Sequence, residues 1–141
     1  MKIVSGGFVL LLISLAVQTA SAQDEQAKRA GGKEEISFQT DVFPVIKKNC
    51  MPCHAEDNYN PSELSLDTYT LLMEGGKHGT AVVPGKAAES LLVQKLDAKP
   101  SFGDRMPLDP KKKRGEASTR KLSDEEIQLI SDWIAQGAKN N

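Results

Sequence analysis

The sequence predicts an all-α domain of four or five short helices. Apolar residues recur at helical spacing in brief segments bounded by Gly, Pro and Asn, and nothing reads as the alternating pattern of a half-buried strand. The segments are too short for a bundle of long helices, so the fold must be built from short ones.

The first 22 residues read as a signal peptide and not as fold. Lys2 supplies positive charge, residues 8–17 (FVLLLISLAV) are an apolar run, and Ala20-Ser21-Ala22 is an A-x-A cleavage site. The run is short of the roughly 20 residues that a membrane-spanning helix needs, and stable membrane insertion after cleavage is not expected. Cleavage after Ala22 leaves 119 residues, enough for one domain. It removes Lys2 and leaves 17 basic against 19 acidic residues, a balance that gives no reason to expect nucleic-acid binding.

Residues 23–37 are mostly polar, carry Gly31-Gly32 and lack an apolar period, which predicts a flexible leader. A domain then occupies residues 38–139. Its first helix is expected over 38–50, with Ser37 or Thr40 as cap, Pro44 in the first turn, and Phe38, Val42, Val45 and Ile46 as an apolar stripe. Residues 58–62 (NYNPS) form a loop. A second helix fits 68–74, with Asp67 as its cap and Gly75-Gly76 as its stop. A glycine-rich loop follows over 75–85. A third helix fits 87–96, where Leu91, Leu92 and Leu96 mark the buried side.

Residues 100–110 (PSFGDRMPLDP) are irregular, and 111–121 (KKKRGEASTRK) are charged and solvated. The last helix is announced by the capping box Ser123-Asp124-Glu125-Glu126 and by a staple of Leu122 on Ile127. Gly137 ends it, and Ile127, Ile130, Trp133 and Ile134 line its inner face.

The chain's two cysteines fall in one pentapeptide, Cys50-Met51-Pro52-Cys53-His54. C-x-x-C-H is the attachment sequence of a c-type haem. Two thiols three residues apart can each add to a haem vinyl group, and the imidazole that follows is held under the iron as proximal ligand. A thioredoxin-like pair would need a βαβ setting, and a structural zinc site four ligands. A disulfide would leave His54 without a purpose. Export supports the haem reading, because covalent attachment in bacteria takes place outside the cytoplasm.

The distal ligand has several candidates. Met51 lies on the proximal side by construction, and Met73 sits beside Leu71 and Leu72 on the second helix, where packing is its ordinary role. Met106, in a loop before Pro107, can bring a thioether to the open face of the haem. His78 is its rival and would give a bis-histidine iron of lower potential. The N–H groups near Gly75, Gly76 and Gly79, with Lys77, offer a contact for a haem propionate, or the loop serves only as a turn. Lys111-Lys112-Lys113-Arg114, with Arg120 and Lys121, would steer an acidic redox partner.

The chain resembles the planctomycete-type cytochrome c domain, a class I-like monohaem c-type cytochrome. The resemblance rests on CMPCH at 50–54, LSLDTYTLLMEGG at 64–76, AVVPGKAAESLLVQKL at 81–96, RMP at 105–107 and LSDEEIQLISDWIAQGA at 122–138. It implies one covalent haem c, with Cys50 and Cys53 at the thioether positions, His54 as proximal ligand and Met106 as distal ligand. Residues 108–121 are longer and more basic than the family's usual link, and the family's domain often occurs fused to larger ones.

The expected fold is a small cytochrome c with its first and last helices packed over the haem, which supplies much of the core of a chain poor in aromatics. The expected function is that of a periplasmic, soluble, monomeric one-electron carrier, without catalytic residues. The alternatives are a haem enzyme or sensor with a displaceable sixth ligand, such as a small peroxidase or gas-binding protein, and a haem-bearing docking module.

Overall fold

Ser37 starts the first helical segment by satisfying two backbone groups at once. Its hydroxyl accepts from the Thr40 N–H at 3.3 Å, while the Asp41 carboxylate accepts from the Ser37 N–H at 2.8 Å. Phe38–Val42 winds as a wider π-type turn, and Phe43–Asn49 continues as helix α1. Pro44, which has no N–H to give, falls in the first turn of α1. Both parts bring Phe38, Val42 and Ile46 to one buried side.

The structure, a computed structural model, describes residues 34–109, 111, 113, 116 and 121–141. Within it Glu35–Asn141 forms one compact unit. The signal peptide, most of the leader, and Lys112, Arg114 and Arg120 of the basic cluster lie outside the described residues. Ile36 and Ser37, which composition places with the leader, are anchored: the Ile36 N–H donates to Gln136 at 2.9 Å and the Ser37 hydroxyl to the Asn141 carbonyl at 2.7 Å.

Three further α-helices follow: α2 at Tyr69–Glu74, α3 at Leu91–Leu96 and α4 at Asp124–Ala135. No strand occurs among the described residues, and an isolated bridge joins Gly76 to Gly79. The helical class is therefore as expected, with two local differences. Thr68, not Asp67, caps α2, accepting from the Leu71 N–H at 3.2 Å. Asp67 instead takes the Glu56 N–H at 2.6 Å, which ties the helix start back to the chain just after His54.

The second difference is that the helix expected over 87–96 is broken. Ala87–Glu89 is a single 3₁₀ turn and α3 begins only at Leu91. Ser90 between them is fully buried, donating to the Lys86 carbonyl at 3.0 Å and accepting from the Val83 N–H at 2.9 Å. A short hydroxyl that binds nearby backbone competes with the helical ladder, and here it wins. The same serine folds the 83–86 turn inward, and next to it the Gly85 N–H reaches the Ile134 carbonyl at 2.7 Å.

The first and last helical segments meet in an aromatic cluster. The Phe38 ring lies 5.4 Å from Trp133, 5.3 Å edge-on from Tyr69 and 5.6 Å from Phe43, centroid to centroid. Both polar rims are satisfied: Tyr69 Oη donates to the Ala138 carbonyl and Trp133 Nε1 to the Lys139 carbonyl, each at 2.9 Å. Those carbonyls are presented by the turn that ends α4. There the Ala138 N–H returns to Trp133 and the Gly137 N–H to Ile134, each at 2.9 Å, with Gly137 at φ +102°. Truncating a buried Phe or Trp costs about 3–5 kcal/mol. An exposed ion pair such as Lys86–Glu89 contributes about 0–1 kcal/mol. The aromatic cluster thus decides how the two ends of the domain pack.

Glu126 performs a second joining. Its N–H donates to the Ser123 hydroxyl at 3.2 Å, and its carboxylate accepts from the Ser123 N–H at 2.9 Å, completing the capping box. The same carboxylate takes the Lys48 ammonium at 2.9 Å, clipping the end of α1 to the start of α4. The Lys48 hydrogen bond, then the Ser123 N–H, hold the Glu126 carboxyl below the usual glutamate range. A depressed pKa gives stability that is full above the unfolded value, about 4.3, and lost as pH falls through the folded one. Glu126→Ala should therefore cost about 1 kcal/mol at neutral pH, a fall in Tm of about 4–8 °C. Its stability should also decline less steeply than wild type below about pH 4.3, as thermal melts across the acid range would record.

Candidate functional site

Helix α1 runs directly into the pentapeptide. Cys50 caps it, its N–H on the Ile46 carbonyl at 2.8 Å, and the next turn closes with the His54 N–H on the Cys50 carbonyl at 3.2 Å. The three side chains are thus held within one turn of chain. Cys50 is half-buried, Cys53 is exposed, and neither forms a disulfide. Met51 packs on the core from between them.

The His54 ring is oriented by the loop that follows. Its Nδ1 lies 3.0 Å from the Leu64 carbonyl. A carbonyl can only accept, so Nδ1 carries the proton and Nε2 keeps the lone pair that a metal would take. This acceptor belongs to the irregular segment between the pentapeptide and α2. The loop is closed onto the site again where the Leu66 N–H meets the His54 carbonyl at 2.8 Å.

Asn60, Ser62 and Gly76 support that carbonyl, and composition does not single them out. The Asn60 side-chain N–H donates to the Leu64 carbonyl at 2.5 Å, while its Oδ1 accepts from the Ser62 N–H at 3.1 Å and the Ser62 hydroxyl at 2.7 Å. The glycine loop lies directly behind. A Cβ on Gly76 would come 2.6 Å from the Ser62 carbonyl oxygen and 2.9 Å from the Leu64 nitrogen, closer than real Cβ atoms approach backbone. The N–H groups of this loop are spent internally: Gly75 on Leu71, Gly76 on Gly79, Lys77 on Ser62 and Gly79 on Gly76. They are therefore not free to receive a propionate, and the turn reading of 75–85 is the one the geometry supports.

Met106 is placed by a different element. Short α3 ends with carbonyls that have no helical partner, and the RMP segment supplies the donors. Met106 N–H meets the Lys95 carbonyl at 2.7 Å, and Arg105 Nε meets the Leu96 carbonyl at 2.8 Å. Lys95 Nζ completes the clasp on the Phe102 carbonyl at 2.6 Å and lies 4.7 Å from that ring's centroid. Burial lowers the Lys95 pKa, opposed by the neighbouring Asp104 carboxylate. Met106 is half-buried in this clasp and Pro107 buried. His78 is exposed, its ring 4.9 Å from Phe102, so the rival candidate is carried against the same loop. Met73 packs on the core, as its helical position suggests. Among the described residues, no group of three or more His, Cys, Asp or Glu is placed to hold a metal ion, and no helix is long and apolar enough to cross a membrane.

The donor set suits a covalently bound haem: two thiols in one turn that form no disulfide, and beside them an imidazole whose tautomer leaves Nε2 for iron. Gly76→Ala tests how this arrangement is held. The new methyl should displace the 62–64 backbone and with it the acceptor of His54, lowering stability by about 1–3 kcal/mol. Melting of the haem-loaded protein checks this, with Thr80→Ala, at an exposed position of the same loop, as a control.

Comparison with known proteins agrees with this reading. A family model, Planctomycete cytochrome C, matches residues 50–107, from the first cysteine to the proline after Met106. Among solved structures, hydrazine synthase of Kuenenia stuttgartiensis is similar, at 26% identity and a TM-score of 0.48. The match covers 75% of this chain and 16% of that chain. No curated protein matches. Over residues 50–107 the chain is therefore similar to the planctomycete cytochrome c family, and a domain of that kind implies a haem c.

Proposed function

We propose that this protein is an exported monohaem cytochrome that carries single electrons. Cys50 and Cys53 hold the haem through thioethers, and His54 and Met106 are the axial ligands of its iron. The observation that carries this reading is the His54 ring, whose Nδ1 is committed to the Leu64 carbonyl at 3.0 Å beside two cysteines that form no disulfide. When bound, the haem supplies an iron centre that takes up and releases one electron.

The chain's own part is to hold both ligands still. His54 is fixed through the Leu64 carbonyl and Met106 through its own N–H on Lys95. Both anchors are backbone carbonyls of the protein itself, so they would hold the two side chains in place in either oxidation state. Two protein ligands leave no open position for substrate, which favours transfer over catalysis. The basic residues at 111–114 would draw an acidic redox partner, with Lys111 and Lys113 exposed at the surface.

The ferric spectrum tests the ligation. Wild type should show a far-red methionine-to-iron charge-transfer band that Met106→Ala loses. Axial ligands set haem potentials across about 0.8 V, so the variant's midpoint should fall by on the order of 0.1–0.3 V. A wild-type ferric protein that is high-spin and readily binds peroxide or carbon monoxide would favour an enzyme or sensor instead. A band that survives Met106→Ala but is lost on replacing His78 would move the distal site to His78. Electron-transfer rates to an acidic partner should fall with salt, and neutralising residues 111–114 should flatten that dependence.

A further inference from the structure

We infer that Asn60 is a positioning residue that raises the reduction potential by sharing the acceptor of His54. The inference rests on the haem reading above and concerns how the proximal imidazole is tuned. Two donors converge on the Leu64 carbonyl: His54 Nδ1 at 3.0 Å and Asn60 Nδ2 at 2.5 Å. The two nitrogens are 3.3 Å apart.

The amide's orientation follows from its neighbours. The Ser62 N–H can only donate, and it meets Asn60 Oδ1 at 3.1 Å. Flipping the amide would set its NH₂ against that N–H and its oxygen against the Leu64 carbonyl, losing both bonds. The Ser62 hydroxyl, at 2.7 Å from the same Oδ1, adds a second lock. The NH₂ edge therefore faces the carbonyl and the imidazole.

This edge acts on the iron through the ring. A strongly held Nδ1–H makes an imidazole more basic and favours ferric iron. A carbonyl that already accepts from Asn60 has less electron density to offer His54, so the Nδ1–H bond is weaker than it would be alone. The positive edge of the amide, 3.3 Å from the ring nitrogen, also opposes the extra charge of the ferric state. Both effects favour ferrous iron, and both disappear with the amide.

The test uses the haem-loaded protein. Asn60→Ser retains a hydroxyl acceptor for the Ser62 N–H, preserving the turn, but removes the amide donor. Thr68→Ala is the control, because it removes the cap of α2 and leaves the Asn60 amide and its partners in place. Asn60→Ser should shift the equilibrium toward ferric iron about three- to tenfold, a midpoint lower by about 30–60 mV at 59 mV per tenfold for one electron. Thr68→Ala should lower Tm and leave the midpoint in place. An unchanged midpoint in Asn60→Ser, with haem covalently attached and low-spin, would overturn the inference and leave the carrier reading intact. An equal fall in Thr68→Ala would assign the effect to lost stability of the region and overturn it too. Wild-type protein without covalent haem, or with a spectrum indifferent to His54, would instead remove the carrier reading itself.

Discussion

The hydrogen bond from His54 to the Leu64 carbonyl is the constraint around which the first half of the domain is arranged. One carbonyl oxygen must be held within 3.0 Å of an imidazole nitrogen by a segment with no regular structure. The chain does this with a nested set of short-range contacts. Asn60 and Ser62 close the turn, Leu66 bonds back to the His54 carbonyl, and Gly76 lets a second loop lie flat against residues 62–64. None of these groups needs reach the iron, yet each fixes the atom that orients the ligand.

A separate set of contacts fixes where that half sits. Phe38, Tyr69 and Trp133 pack the first helical segment against the last, while Glu126 clips Lys48, two residues before Cys50, to the start of α4. Burial of aromatic surface supplies most of the energy, and the clip supplies register. The cysteines thus emerge from a helix end that is held on its far side by the core and on its near side by a capped helix start.

Much of this was legible in the sequence, and the parts that were not share a cause. Helical spacing identified α1 with its preceding turn and α4, because each buries a stripe large enough to leave a periodic trace, while α2, which buries Leu72, was marked by its stop at Gly75-Gly76. The C-x-x-C-H spacing points to a haem c because the chemistry itself is local, and the proposed roles of the two thiols and the histidine follow from that spacing alone. Ser90 was missed because a buried serine inside an apolar stretch looks like any small helical residue until its hydroxyl is seen bonding Lys86 and Val83. The Leu64 acceptor leaves no trace in the sequence because any backbone carbonyl can accept, and a side-chain alphabet does not distinguish them. Asn60 was seen only as a turn residue, since the turn's direction, and so what its amide faces, depends on Gly76 sixteen residues on.

The clasp at the end of α3 bears on how long a vacated distal position would persist. Met106 is tethered by its own N–H to Lys95 and flanked by Arg105 on Leu96. On the proposed ligation, a thioether that let go of the iron would stay within a side chain's length of it. Its return would then be unimolecular, at the high effective concentration that a short tether imposes. Small external ligands would have to compete against that local concentration and not against a freely diffusing group. A helix too short to satisfy its own carbonyls thereby becomes a kinetic guard on the metal.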